Sequence, residues 1–161
     1  MKQSAIIFSF FLLAACQIKQ RPEALLSTLP SFGMLLMDST TLLKEEEIPM
    51  GKPIVLLYFR PDCPHCQKET QAFIDHSESL KHVQVYLLTN APFEDIRTFY
   101  NHFQLANYKN FTVGKDYNHS FYNAFKPKVV PFLAVYDRNK KLVKIYGEEP
   151  DFNVILKSLP I

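Results

Sequence analysis

Cys63-Pro64-His65-Cys66 holds two thiols two residues apart, a spacing at which the sulfurs can close into a disulfide or open to a dithiol. Such a pair does redox chemistry when one sulfur attacks as a thiolate and the other resolves the mixed disulfide that forms. The flanking residues say where the pair sits. Ile54 to Phe59 is a continuous apolar, partly β-branched run bounded by Pro53 and by Arg60-Pro61, the pattern of a strand covered on both faces. Beyond the cysteines, Cys66, Thr70, Phe73, Ile74, Ser77 and Leu80 recur at helical spacing, and Pro64 suits a first helical position. The cysteines are therefore expected at a strand-to-helix turn. Cys63 would stand beside unpaired N–H groups and the positive end of the helix dipole, which favour thiolate over thiol. His65, one turn in, would add positive charge.

Other uses of these residues stay open. A purely structural disulfide here closes so small a loop that it constrains the unfolded chain little. A zinc centre needs two further ligands, and His76, His82, His102 and His119 show no paired spacing. Covalent haem attachment would need histidine directly after the second cysteine, where Gln67 stands. His65 can also pair with Glu69 on a solvated helix face, worth roughly a few tenths of a kcal/mol. Glu69 itself can be an ordinary solvated charge.

The third cysteine lies in a different context. Lys2 precedes an apolar stretch from Ala5 to Ala15, and Leu13-Ala14-Ala15-Cys16 gives way at once to Gln17, Lys19, Gln20 and Arg21. That is the layout of a secretion signal, and an apolar stretch of eleven residues falls short of the roughly 18 needed to cross a bilayer. Leu-Ala-Ala-Cys resembles the lipobox of bacterial lipoproteins, which implies a diacylglycerol on Cys16 and loss of residues 1–15. Several acyl chains make such an attachment stable, whereas an ordinary signal cut elsewhere would discard Cys16. Residues 16–31 read as an anchored, polar, Pro-punctuated tether, and 32–161 as one domain. By the enterobacterial sorting pattern, Gln17 after the cysteine slightly favours the outer over the inner membrane, with the domain facing the periplasm.

Composition narrows the remaining classes. With 161 residues, 47% apolar and 21% charged, the chain can bury a core and is neither disordered nor fibrous. Its formal charge is +2; without residues 1–15, whose only charged side chain is Lys2, it is 17 basic against 16 acidic. No Lys/Arg run interleaves with aromatics, so nucleic acid is not an expected partner. The four glycines assemble no phosphate-cradling loop, so no cofactor is expected beyond the cysteine pair itself.

The rest of the chain supplies alternating elements. Phe32 to Met37 and Thr41 to Lys44 read as a hairpin across Asp38-Ser39-Thr40. Val83 to Leu88 is a buried strand, Pro92 opens a helix carrying Ile96, Phe99, Tyr100 and Phe103, and Phe111 to Val113 is a brief strand. Tyr117 to Phe125 reads as a short aromatic helix. Phe132 to Tyr136 and Leu142 to Tyr146 form a second hairpin across Asp137-Arg138-Asn139-Lys140, and Phe152, Ile155, Leu156 and Leu159 give a last amphipathic helix. No internal repeat or second domain is present.

From Phe32 to Leu159 the chain resembles thioredoxin-fold proteins of the TlpA and ResA type, which share ancestry with the peroxiredoxins. The residues that carry the likeness are Gly51-Lys52-Pro53, the strand to Phe59, the Cys63-Pro64-His65-Cys66 centre, Glu69, Pro131 ahead of the hairpin and Gly147 closing it. The resemblance implies an α/β, three-layer fold, a mixed central sheet flanked by helices, with an N-terminal β-hairpin extension. It implies a thiol-disulfide oxidoreductase in which Cys63 attacks, Cys66 resolves, and Glu69 tunes the cysteines and shuttles protons. Pro131 would be the family's cis-proline facing the active cysteine, with the Val130 backbone pairing with a partner's extended segment. The partners implied are exported protein thiols or disulfides and an upstream redox partner, met by a monomer.

Several positions depart from that pattern. Asp62 stands where the family usually carries Trp, and Leu57 replaces the buried carboxylate of thioredoxin itself. The Pro-His dipeptide looks like the centre of DsbA-type oxidants, but only 64 residues separate Cys66 from Pro131, too few for that family's helical insertion. A peroxiredoxin-like peroxidase would want Thr three residues before its reactive cysteine, where Arg60 precedes Cys63. A copper-carrying or assembly module would want CxxxC and a downstream histidine, for which His119 alone is available.

Overall fold

In the computed structural model, residues 26–147 and 150–160 are described, so residues 1–15, Cys16 and Gln17 lie outside them. Seven strands form one sheet: β1 (Gly33–Leu36), β2 (Leu42–Lys44), β3 (Ile54–Tyr58), β4 (Gln84–Thr89), β5 (Phe111–Lys115), β6 (Phe132–Tyr136) and β7 (Leu142–Gly147). Their spatial order is β2-β1-β5-β4-β3-β6-β7. β3, β4 and β5 run parallel, while β6 and β7 on one side and β1 and β2 on the other are antiparallel. The helices are α1 (Pro64–Asp75), α2 (Phe93–His102), α3 (Ser120–Phe125) and α4 (Phe152–Ser158). This is the thioredoxin-like α/β fold with a leading β-hairpin.

The unbroken apolar run of β3 follows from its place between β4 and β6, because both faces of the strand are covered. Val55, Leu57 and Phe59 point into a core shared with Phe73 of α1, Ile96 and Phe99 of α2, and Phe152 and Ile155 of α4. Ile54, Leu56 and Tyr58 point the other way, into a core with Phe121 and Phe125 of α3, and Phe32 and Ile48. The period-two alternation of one strand thus feeds two cores, which anchors the loop that follows β3 from both sides. Aromatic rings close each core: Phe59 lies 4.5 Å from Phe99, and Tyr58 stacks on Phe121 at 4.9 Å.

Three elements differ from the sequence expectation. The helix after Cys63 ends at Asp75; Leu80, expected on its face, is buried from a succession of turns in which Leu80 N–H donates to the carbonyls of His76 and Ser77. Ser77 and Ser79 compete for backbone hydrogen bonds and favour turns over a helix interior, and the chain must reverse there to enter β4. α3 starts at Ser120 and not Tyr117, because Asp116 accepts from the Phe121 and Tyr122 amides at 3.0 and 2.9 Å and fixes the start there. The expected tether is not free as far as residue 31. From Leu26 the chain is docked: Leu26 and Leu29 are buried, Leu29 N–H donates to Lys140 O, and Tyr136 Oη–H donates to Leu26 O. Short apolar patches in a polar segment were enough to find the open edge of the second core.

Candidate active site

β3 delivers the chain to one end of the sheet, and α1 leads away from it. Cys63 is the N-cap of α1 in extended conformation, Pro64 occupies the first turn, and Gln67 N–H donates to Cys63 O at 3.0 Å. The fixed φ and missing N–H of proline suit that position, so the sequence itself sets the helix start at the cysteine. Cys63 is half-buried, whereas Cys66, one turn in, is fully buried against the first core. Both sulfurs are free thiols.

The two sulfurs meet different surroundings. Cys66 Sγ accepts the Arg60 N–H at 3.5 Å, and burial pushes its thiol up to about 12, with the neighbouring Cys63 acting in the same direction and the Arg60 N–H opposing. Cys63 Sγ lies 3.9 Å from Val130 O, in line to donate to it. The Val130-Pro131 peptide is cis, and Pro131 is buried beneath it. Two segments 67 residues apart in sequence therefore meet at one sulfur. Among the expected site residues, Cys63, Cys66, Val130 and Pro131 come together. Pro64 and His65 are exposed on the outer turn of α1.

Glu69 lies one turn beyond Cys66 on the same face and is only 3% exposed, beside fully buried Thr70. The solvated reading of Glu69 is thereby corrected: the helix turns this carboxylate inward because its i, i+3 relation to Cys66 places both on the core face. Leu57 is fully buried and apolar, as its departure from the thioredoxin pattern requires. Among the described residues, no group of three or more His, Cys, Asp and Glu side chains converges.

Asp62 does not leave an empty place. Its carboxylate takes a two-point ion pair from Arg60, with Nη2 to Oδ2 at 2.6 Å and Nε to Oδ1 at 3.0 Å. Each partner holds the other in the acid–base form the pair needs: Asp62 sits below its ordinary value and Arg60 above. Gln67 Nε2 donates to Pro61 O at 2.8 Å and braces the same loop. These three residues wall a cleft of about 650 Å³ that continues along α2 past Asp95, Phe99 and His102. No separate sequence signal marks this brace, since charges two apart in a loop can point anywhere.

A sequence profile described as thioredoxin-like matches residues 51–142. The chain belongs to the thioredoxin-like family. Its fold is similar to that of DsbF from Mycobacterium tuberculosis in mixed oxidized and reduced forms, with 21% identity, 83% of this chain and 93% of that chain covered, and a TM-score of 0.68. It is similar also to a putative thiol:disulfide interchange protein DsbE from Chlorobium tepidum, at 18% identity, 82% and 92% coverage and a TM-score of 0.66. Peroxidoxin BcpB from Mycobacterium tuberculosis matches at 14% identity, 81% and 92% coverage and a TM-score of 0.67. No curated protein sequence matches the chain. Likenesses at these identities concern the fold; the chemistry rests on the site.

Proposed function

We propose that this thioredoxin-like protein is a thiol-disulfide oxidoreductase of the TlpA and ResA type, lipid-anchored through Cys16 in a bacterial envelope and acting on exported proteins from the periplasmic side. The observation that carries the chemistry is the unequal pair: a half-buried Cys63 at the start of a helix, over the Val130 carbonyl, and a buried Cys66 one turn behind it. Cys63 thiolate attacks one sulfur of a partner disulfide; that S–S bond breaks, a mixed disulfide forms, and the released partner thiolate takes up a proton. Cys66 then loses its proton and attacks Cys63 Sγ, which expels the second partner thiolate and leaves a Cys63–Cys66 disulfide. Two electrons have passed to the partner, and the reverse sequence oxidises a dithiol.

Burial favours the protonated form of Cys66, so its proton has to be removed before the sulfur can attack. Glu69 is the inward-facing carboxylate on the same helix face, and we assign it the handling of that proton. An extended partner segment would lie along Val130, next to Pro131, with its cysteine over Cys63. Gln17 supports the outer membrane slightly over the inner; among the described residues no helix is long and apolar enough to cross a bilayer.

A Cys66→Ser variant mixed with a disulfide-bonded protein substrate tests the reading. The expected result is accumulation of a covalent adduct through Cys63, absent in Cys63→Ser, while the wild type turns over. No adduct, together with no reductase or oxidase turnover by the wild type, would overturn it.

A further inference from the structure

At the end of the sheet opposite the cysteines, Lys52, Lys81 and Lys109 line one groove of about 350 Å³, with Gln84, Asn110 and Thr112 between them. Lys52 precedes β3, Lys81 precedes β4 and Lys109 precedes β5, so the groove gathers the N-terminal ends of three parallel strands. All three side chains are exposed. The turn between β6 and β7 lies at the same end, since Gly51 N–H donates to Arg138 O and Ile54 pairs with Tyr136; it adds exposed Arg138 and Lys141. The nearby carboxylates are hydrogen-bonded or ion-paired, and those that accept only backbone amides keep their charge, so the cations at this end outnumber them without being free of them. Glu78 takes an exposed ion pair from Lys81 at 2.7 Å, Asp137 Oδ1 accepts the Asn139 and Lys141 amides, and Glu47 accepts the Lys44 amide. Lys140 is drawn away to the Glu45 carbonyl.

The chain enters the domain at this same end. Leu26 O accepts from Tyr136 Oη, Ser27 O accepts from Leu142 N–H, and Thr28 bridges to Lys141. Cys16 lies ten residues before Leu26, which at about 3.3 Å per residue reaches no further than roughly 33 Å. An anchor on so short a leash holds the basic end within reach of the lipid surface without orienting it. Orientation then falls to charge, because cations clustered on one end are drawn to an anionic leaflet within about one Debye length.

We propose that the Lys52–Lys81–Lys109 groove, with Arg138 and Lys141, is a docking surface for anionic phospholipid that stands the domain on the membrane with Cys63 turned away from it. The proposal rests on the lipid-anchor reading of Cys16 and adds an orientation to it. The cysteine end is thereby presented to soluble partners and not to the bilayer.

The test uses the full chain in vesicles of phosphatidylcholine alone or with phosphatidylglycerol, with amine acylation at each lysine read by mass spectrometry. Lys52, Lys81 and Lys109 are expected to label several-fold more slowly on anionic than on neutral vesicles, with the protection lost in about 1 M salt. Lys126 and Lys128, beside the cysteine end, are expected to label equally on both. A Lys52→Glu/Lys109→Glu double variant should lose the protection and keep the thiol reactivity of Cys63. Equal labelling of the three lysines on both vesicles overturns the docking, as does equivalent protection by inorganic phosphate alone, which would assign the groove to a small anion. Failure of the chain to float with neutral vesicles counts against the anchor alone, and labelling on anionic vesicles still decides the docking.

Discussion

Burial divides the labour between two cysteines that are chemically identical. Cys63 is half-buried with Val130 O near its sulfur, and Cys66 has no exposed surface and a thiol pushed up to about 12. In the reduced protein at pH 7, iodoacetamide is expected to modify Cys63 and leave Cys66 unmodified until the chain is unfolded, as peptide mass mapping would show; equal labelling would contradict the assignment of roles. Glu69→Gln keeps the side-chain shape and removes the base, so the resolving step should slow by about 10² and its pH–rate profile should lose the limb due to this carboxylate. An unchanged stopped-flow profile would make Glu69 a packing residue only. The cysteines, Pro64 and the helix start were legible from residue type and spacing. Pro131 was legible only through family likeness, because nothing local marks which of eleven prolines will lead into the strand paired with β3 and so come beside Cys63. The inward turn of Glu69 was a matter of helical phase, and the Arg60–Asp62 fork depends on loop geometry that no periodicity encodes.

Elements hold the site by close contact between strands and by caps. At Gly114 of β5 a Cβ would lie 2.7 Å from Met34 Cε and 2.8 Å from Leu35 O, so β1 can approach only because that side chain is hydrogen. Gly114→Ala is expected to lower unfolding free energy by about 1–3 kcal/mol in urea titrations. Asp116 is buried and serves two amides of α3; Asp116→Ala leaves them unpaired and should cost about 1–3 kcal/mol, while Cys63 labelling of the still-folded fraction is unchanged. The order of strands and helices was readable from apolar periodicity. Element ends were less so: the stop at Asp75 and the start at Ser120 depend on where the chain must reverse and on a buried carboxylate several residues away.

At the scale of the molecule, the fold separates a reactive end from an entering end, and the sequence could show the ends only as separate motifs. Leu26 and Leu29 read as part of a polar tether because the surface they bury is assembled from distant strands. The redox state should also be visible in global stability. Below about pH 9 the Cys66 thiol is protonated in folded and unfolded chains alike. Between the ordinary thiol value of 9.0 and about 12 the unfolded chain releases the proton while the folded one keeps it, so reduced protein loses stability as pH rises through that window. Cys66→Ala, and oxidised wild type, should show a flatter decline; the buried tyrosines, also raised, contribute equally to all three. Identical slopes would argue that Cys66 is not held protonated by the fold.

The central question is whether Cys63 and Cys66 exchange electrons with other thiols. Equilibration of the protein across glutathione buffers, followed by acid quenching and mass spectrometry, measures this directly. The prediction is one reversible two-electron transition confined to these two cysteines, with a midpoint in the range of about −270 to −120 mV spanned by related centres. A pair that stays reduced, or stays oxidised, across that whole range would contradict it.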